Sequence, residues 1–239
     1  MIANVHSVET FSSLDGPGIR YVLFLQGCNM ACKYCHNVDT TIRSTNKQMS
    51  VDDVVEDYMK YKVFYKKGGI TVSGGEPLLQ YKFIIELFKR LKEYGVHTAI
   101  QTQGSVYRDT PMYNQLISLT DLFIIDLKGV NNFEAFRITG AKIDNTFKLF
   151  NKLDSLNKQF LITYVLLPGI NNANTMAKEM AQILNKYNNE NYEFKILPYD
   201  KLGKAKWEKL GKTYELEHIE EATKKDVLLF LEEVRKYRQ

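Results

Sequence analysis

Short apolar runs alternate with longer amphipathic segments along the whole chain. The short runs are rich in valine, isoleucine, phenylalanine and tyrosine, which is typical of strands buried on both faces of a parallel sheet. Six segments fit this description and are predicted to be strands: residues 20–26, 69–73, 96–101, 121–126, 160–167 and 192–197.

The longer segments have apolar residues at helical spacing and are predicted to be helices. Ser50 and Asp53 have the spacing of a capping box, and Pro77 and Pro111 lie where the first turn of a helix tolerates proline. The predicted helices cover residues 50–65, 78–94, a segment that begins at 110, 144–157, 174–187 and 223–238.

The order of these elements predicts the fold class. Strand–helix alternation implies right-handed crossovers that place helices outside a parallel sheet, so we expect the α/β class. Six strand–helix units are fewer than the eight of a closed barrel and predict a partial, open (β/α)6 TIM-like barrel. Because no low-complexity linker or internal repeat divides the sequence, residues 1–239 are predicted to form a single domain.

The composition argues against binding to nucleic acid or to a membrane. A hydrophobic content of 44% is enough for a real core, and 32 basic against 28 acidic residues leave a net charge of only +4. No apolar run approaches the roughly 18 residues of a membrane span, and no charged and then apolar leader opens the chain. We therefore expect a cytoplasmic protein with reduced thiols.

All three cysteines of the chain, Cys28, Cys32 and Cys35, lie within eight residues. Three thiolates form a soft-ligand site suited to iron–sulfur or zinc, but structural zinc and an ordinary cubane each want four ligands. His36 follows Cys35 directly, and adjacent side chains rarely converge on one metal. An iron–sulfur cluster with one open iron is therefore favoured over zinc and over inert thiols, while a disulfide would leave an odd thiol.

Each predicted strand ends in a polar or glycine-rich turn, which is where barrels of this type place their chemistry. These turns are residues 27–28, 73–77, 101–104, 126–128, 168–169 and 197–200. Any one of them is explained by ordinary turn chemistry, but all six together indicate a site. Asp126 and Lys128 stand out, because two charges at the mouth of a buried strand need either each other or ligands.

The C-x3-C-x2-C spacing, with Tyr34 before the last cysteine, resembles the radical S-adenosylmethionine superfamily. The resemblance implies a radical SAM core in which the three cysteines hold a [4Fe-4S] cluster whose open iron binds S-adenosylmethionine. The residues that it implies in cosubstrate binding are Tyr34, Cys35, His36, Gly74, Gly75, Glu76, Gln101, Thr102, Asp126, Leu127, Lys128 and Asp200. Lys128 is expected to reach the carboxylate of the cosubstrate, and the backbone of the glycine turn its amino group.

The motif DGPGIR at residues 15–20, followed by QGC, the cysteine motif and YCHN, is similar to the activating enzymes of glycyl radical enzymes. The resemblance implies that a 5′-deoxyadenosyl radical abstracts a Cα hydrogen from a glycine of a partner of the pyruvate formate-lyase type. It also implies that Asp15 and His36 contact the peptide of the partner. No side chain beyond those that hold the cluster and the cosubstrate is expected to be catalytic.

The sequence departs from the family pattern at three positions. Gln101 stands where an acidic residue is frequent, Thr163 where an arginine is common, and Asp200 where a histidine is usual. The resemblance implies a monovalent cation bound by that acidic residue, Thr102 and Asp126, and an amide is a weaker ligand than a carboxylate. The sequence leaves open whether the cation site is retained, and Asp126 is expected to act partly as a charge partner of Lys128.

Five lysines surround Trp207, the only tryptophan, in a segment predicted to be a loop: Lys201, Lys204, Lys206, Lys209 and Lys212. A solvated loop is the default interpretation, and the alternative is a docking surface for the partner or for an acidic electron donor, flavodoxin or ferredoxin. We expect a monomer. The sequence leaves open an activase of another glycyl radical enzyme or of anaerobic ribonucleotide reductase and, in another class, a non-catalytic iron–sulfur or zinc protein.

Overall fold

The structure, a computed structural model, describes residues 1–42 and 47–238. These residues form two compact units. The first comprises Met1–Asn29 and Thr40–Ile125, and the second comprises Met30–Asp39 and Asp126–Gln239. The cysteine motif is divided between them, because Cys28 belongs to the first unit and the other two cysteines belong to the second.

The first unit is built on a mixed sheet. Its strands are β1 (Ile2–Ser12), β2 (Arg20–Leu25), β3 (Gln48–Ser50), β4 (Gly69–Gly74), β5 (Thr98–Thr102) and β6 (Leu122–Asp126). They lie in the order β3-β1-β2-β4-β5-β6, with β1 antiparallel to both of its neighbours and the strands from β2 to β6 parallel. All but one residue of β2 and of β4 are buried, which confirms the predicted parallel core.

The helices of the first unit begin within three residues of the helix starts predicted from the sequence. They are α1 (Val51–Lys60), α2 (Tyr81–Lys92) and α3 (Pro111–Leu119), with 3-10 turns at Lys62–Tyr65, Pro77–Gln80 and, across the boundary between the units, Val38–Thr41. The capping box before α1 is confirmed, since Ser50 Oγ accepts from Asp53 N (3.1 Å) and the Asp53 carboxylate accepts from Ser50 N (2.7 Å). The predicted helices 50–65 and 78–94 are shorter as α-helices because one end of each is a 3-10 turn.

The second unit contains two parallel strands and five helices among its described residues. They are α4 (Asn132–Thr139), α5 (Asp144–Ser155), β7 (Phe160–Leu166), α6 (Asn174–Leu184), β8 (Tyr192–Pro198), α7 (Lys204–Lys209) and α8 (Lys224–Lys236). β7 and β8 pair in parallel from Phe160 opposite Tyr192 to Leu166 opposite Pro198. None of the helices in either unit, over the described residues, has the length and apolar character needed to span a membrane.

The sequence-based prediction missed β1, β3, α4 and α7. β1 alternates buried with partly exposed residues, as an antiparallel strand does, and therefore lacks the continuous apolar run used to find the others. α4 has eight residues and exposes Phe133 and Phe136, so its apolar residues do not form one inward stripe. The segment around Trp207 was wrongly predicted to be a loop, because α7 forms there.

Candidate functional site

The glycine-rich turn after β4 lies against the residues that lead into Cys28. Glu76 N donates a hydrogen bond to Gly27 O (2.8 Å). A Cβ atom on Gly75 would overlap Gly27 O and lie 3.1 Å from Cys28 Cβ. Gly74 has a φ of 123°, which glycine adopts readily. Both glycines are therefore required by the close approach of two backbone segments within the first unit.

Glu76 is a buried carboxylate, with 1% of its surface exposed. Its Oε1 accepts hydrogen bonds from Leu78 N (2.8 Å) and Thr102 Oγ1 (2.6 Å). Its Oε2 accepts from Gln103 N (3.0 Å). These bonds compensate the desolvation of the carboxylate. Glu76 therefore caps the 3-10 turn that begins at Pro77 and connects the ends of β4 and β5.

Gln101 and Thr102, two of the residues implied in cosubstrate and cation binding, lie at the end of β5. Gln101 Oε1 accepts a long hydrogen bond from Ser73 Oγ (3.4 Å). The Thr102 hydroxyl donates to Glu76 and accepts from Gly104 N (2.9 Å). Thr102 is thus fixed by the network around Glu76.

Asp15 lies in the loop between β1 and β2, which is anchored by a buried arginine. The Ser12 hydroxyl donates to the Asp15 carboxylate, and Thr71 Oγ1 donates to Asp15 O (2.7 Å). Arg20 donates to Thr71 Oγ1 (2.6 Å) and to Pro17 O (3.2 Å). Burial lowers the pKa of Arg20 to about 10, so its guanidinium remains charged at neutral pH. The backbone of the Asp15 loop is therefore held from two sides.

Lys128 and Asp126 lie together at the end of β6, in the second unit. Lys128 Nζ is 3.5 Å from Asp126 Oδ2 and 5.4 Å from the centre of the Tyr34 ring. Burial alone would lower the pKa of Lys128, but the Asp126 carboxylate and then Tyr34 outweigh it and hold that pKa well above its usual value. Burial also raises the pKa of Tyr34, although Lys128 opposes this shift. The site therefore contains an ammonium beside a neutral phenol, and the predicted Asp126–Lys128 pair is confirmed.

Thr163, which replaces the arginine common in the family, orients Asp126. Its hydroxyl donates to Asp126 Oδ1, and its carbonyl accepts from Leu127 N (2.8 Å). One carboxylate oxygen of Asp126 thus faces Thr163 while the other faces Lys128. The sequence shows Thr163 only as a departure from the family pattern. Its contact with Asp126 was not predictable because it depends on the register between two strands.

The second half of the cysteine motif is held by the last turn of α4. Ala31 N donates to Thr139 O (2.9 Å) and Lys33 N to Ile138 O (3.0 Å). Carbonyl groups at the end of a helix have no intrahelical partner, so the loop satisfies them. Cys32 lies between these two bonds, and Cys35 N donates to Cys32 O (3.0 Å).

The residues that follow Cys35 contact the segment after β8. His36 Nε2 is 3.0 Å from Asp200 Oδ1, so two residues implied in binding are brought together. Two of the three lysines of α7 are paired with acidic residues: Lys204 Nζ is 2.8 Å from Glu217, and Lys206 Nζ is 3.1 Å from Asp39. These ion pairs neutralise part of the basic charge that the sequence analysis assigned to a solvated loop.

Comparison with known proteins gives the family. The family model described as Radical SAM superfamily matches residues 22–181. The pyruvate formate-lyase-activating enzymes of Staphylococcus epidermidis and of Staphylococcus aureus (strain USA300) are 41% and 39% identical over 224 residues, which cover 91% of this chain and 89% of each relative. The chain belongs to the radical SAM superfamily, in the family of these activating enzymes.

Two solved structures confirm the fold. A radical SAM methyltransferase from Sphaerobacter thermophilus matches with a TM-score of 0.64 at 15% identity, over 91% of this chain and 64% of that chain. Streptococcus suis SuiB, bound to its precursor peptide, matches with a TM-score of 0.65 at 17% identity, over 89% of this chain and 44% of that chain. The likeness establishes the partial, open TIM-like barrel predicted from the sequence.

Membership of the superfamily implies a [4Fe-4S] cluster and S-adenosylmethionine. The thiols suit the cluster, since none of the three cysteines, all of which the structure describes, forms a disulfide. Over residues 1–42 and 47–238, no group of three or more histidine, cysteine or acidic side chains is already gathered as a metal site. Ligands that assemble around a bound metal are common, because metal binding is coupled to local folding. The Lys128 ammonium, on a side chain that is only 13% exposed, suits a ligand with a carboxylate.

Proposed function

We propose that this radical SAM protein activates a glycyl radical enzyme of the pyruvate formate-lyase type. The observation that carries the proposal is the 41% identity to an activating enzyme of that name over 91% of the chain. A [4Fe-4S] cluster held by Cys28, Cys32 and Cys35 would supply one electron for cleavage of the C5′–S bond of S-adenosylmethionine, and the Cα hydrogen of a glycine of the partner would end in 5′-deoxyadenosine, with methionine as the other product. The side chains of this protein would bind and orient S-adenosylmethionine and exclude water from it.

Cys28, Cys32 and Cys35 are proposed to hold the cluster through their thiolates. The spacing of the three cysteines supports this assignment, and so do the hydrogen bonds from Ala31 and Lys33 that fix the backbone on both sides of Cys32. Because cluster assembly requires reduced thiols, we propose that the protein works in the cytoplasm. We also propose that it is a monomer.

Lys128 is proposed to bind the carboxylate of S-adenosylmethionine as a charge-assisted donor. The support for this role is its largely buried ammonium, which is paired with Asp126 and lies next to Tyr34, and Tyr34 is proposed to form an apolar wall for the adenine. Each of the remaining implied residues is also proposed to serve S-adenosylmethionine binding: Leu127, Cys35, His36, Asp200, Gly74, Gly75, Glu76, Gln101 and Thr102. Glu76 would act by shaping the turn, because its carboxylate already accepts three hydrogen bonds from the protein.

Asp15 and His36 are proposed to contact the peptide of the partner. The anchored loop around Asp15 and the Asp200 contact of His36 would give these side chains fixed positions, and fixed positions favour a transfer between oriented groups. A flavodoxin or ferredoxin is proposed as the electron donor.

The test is to reconstitute the protein anaerobically, reduce it, and measure iron content, 5′-deoxyadenosine and the glycyl radical on purified pyruvate formate-lyase by electron paramagnetic resonance. We expect about four irons per chain and a radical on the lyase. Alanine at any one of the three cysteines should abolish both products. A radical that forms only on another glycyl radical enzyme would change the partner, and zinc in place of iron would overturn the proposal.

A further inference from the structure

A segment that follows β8 in the second unit contacts the last cysteine of the motif and the residues after it. This segment is residues 200–209, which we call the clamp. The residues that it contacts are 35–39, which we call the Cys35 limb. Trp207 Nε1 donates to Cys35 O (2.8 Å). The clamp therefore makes a direct hydrogen bond to the backbone of a proposed cluster ligand.

Lys206 makes a second and independent connection. Its Nζ donates to Asn37 Oδ1 (2.9 Å) and is 3.1 Å from Asp39 Oδ2. The lysine thus reaches two side chains of the Cys35 limb at once. A charge-assisted contact of this kind is stronger than a neutral hydrogen bond.

Gly203 shows how closely the two segments pack. A Cβ atom at this position would lie 2.6 Å from His36 Cα and 2.9 Å from Cys35 O, closer than real Cβ atoms approach. The φ of Gly203 is −73°, so the backbone conformation does not demand glycine. The glycine is required by the space that the Cys35 limb occupies.

The clamp is itself fixed on its other side. Trp207 is 9% exposed, and its ring meets that of Tyr214 edge to face at 5.7 Å. The Tyr214 hydroxyl is 2.9 Å from that of Tyr199, which is buried at the end of β8. The indole N–H is therefore aimed at Cys35 O by a packed support and not by a mobile side chain.

We propose that Trp207 and Lys206 are positioning residues that hold the Cys35 limb in the shape that binds the cluster. The proposal rests on the function proposed above and adds two residues to it. Groups that orient a metal ligand without touching the metal commonly change metal affinity by about 10- to 100-fold when they are removed. Loss of either contact should therefore loosen the limb and release iron faster.

The first test uses two matched lysines of α7. Lys206→Met removes the contact with the limb, whereas Lys204→Met removes an ion pair with Glu217, outside the limb. Iron release from the reconstituted proteins to a chelator is followed without oxygen. We expect release to be about 10-fold faster in Lys206→Met and unchanged in Lys204→Met.

The second test uses a matched pair of aromatic residues. Trp207→Phe keeps a ring but loses the donor to Cys35 O, and Tyr192→Phe keeps its ring but loses a hydroxyl donor to Leu184 O, outside both the clamp and the limb. We expect faster iron release in the first variant and parental release in the second. Thermal unfolding of all four variants identifies any that is simply misfolded.

A third measurement keeps the inference testable without iron. Hydrogen exchange of the amides of residues 35–39 in the apoprotein should speed up in Lys206→Met and Trp207→Phe and stay parental in the two controls. Parental exchange and parental iron release in folded Lys206→Met and Trp207→Phe would overturn the inference. A parental protein that takes up no iron would overturn the proposed function instead, and exchange would still decide whether the clamp holds the limb.

Discussion

At the scale of single residues, the polar groups at strand ends were predictable from the sequence, but their partners were not. Asp126 ends β6 and Lys128 lies two residues further along the chain, so the two-residue spacing of a predicted strand end was enough to predict their ion pair. The contact of Thr163 with Asp126 depends on how β7 aligns with the end of β6, and nothing local in the sequence sets that register. The same holds for Trp207 and Cys35, which are far apart in the sequence.

Thr163 should contribute to cosubstrate binding through Asp126. In Thr163→Val the carboxylate loses one hydrogen bond, worth about 1 kcal/mol, and is less well oriented toward Lys128. We expect the affinity for S-adenosylmethionine to fall about fivefold, as measured by calorimetry on the anaerobically reconstituted protein. Thr120→Val removes a buried hydroxyl that donates to Leu116 O and serves as the control. Parental affinity in Thr163→Val would mean that Asp126 is oriented without this threonine.

Gln101 should weaken any response to monovalent cations. An amide oxygen offsets less of the dehydration cost of a hard cation than a carboxylate does, and the Thr102 hydroxyl is already bonded to Glu76. We therefore expect turnover of S-adenosylmethionine to change little when sodium replaces potassium, and the response to increase in Gln101→Asp. A strong cation requirement in the parental protein that Gln101→Asp leaves unchanged would contradict this expectation.

At the scale of secondary-structure elements, the sequence predicted what local chemistry determines. β2, β4, β5, β6 and β7 were found because extensive burial leaves a near-continuous apolar run, whereas β8 was found from its aromatic and branched residues although only Ile196 in it is buried. β1 was missed because its antiparallel pairing produces a mixed pattern. α4 has recognisable ends, an N-cap at Asn131 and a left-handed glycine at Gly140, and a search for caps would have found it.

The two capping boxes should stabilise their helices to a similar extent. Ser50 caps α1 and Thr223 caps α8 with the same reciprocal pair of hydrogen bonds. Alanine at either position leaves backbone N–H groups without their capping acceptor and should lower the free energy of unfolding by about 1 kcal/mol. Ser118→Ala, on α3, removes an exposed hydroxyl that caps no helix start and should change it by less than about 0.5 kcal/mol. Denaturant titrations that rank Ser118→Ala with the cap variants would contradict the assignment.

At the scale of the whole molecule, the division into two compact units was not predictable, since the sequence has no linker at the boundaries. The chain passes between the units at residues 29–30, 39–40 and 125–126, and β6 (Leu122–Asp126) contains the last of these junctions. A domain boundary usually falls in an exposed, flexible segment that few contacts cross. These junctions instead fall within the cysteine motif, within a 3-10 turn and within a strand.

Unfolding should therefore be cooperative over residues 1–239, as expected for a single domain. The chain crosses between the units three times, and none of the crossings lies in a flexible linker. The two units should therefore not unfold separately. Trp207, the only tryptophan, reports on the second unit through its fluorescence, and Phe11→Trp combined with Trp207→Phe moves the probe to the first. We expect the two fluorescence transitions in urea, each measured on the apoprotein, to coincide with the loss of circular dichroism of the same variant. A transition at Trp207 that is separated from the circular dichroism curve, together with a different midpoint for the probe at position 11, would show that the two units unfold as independent domains.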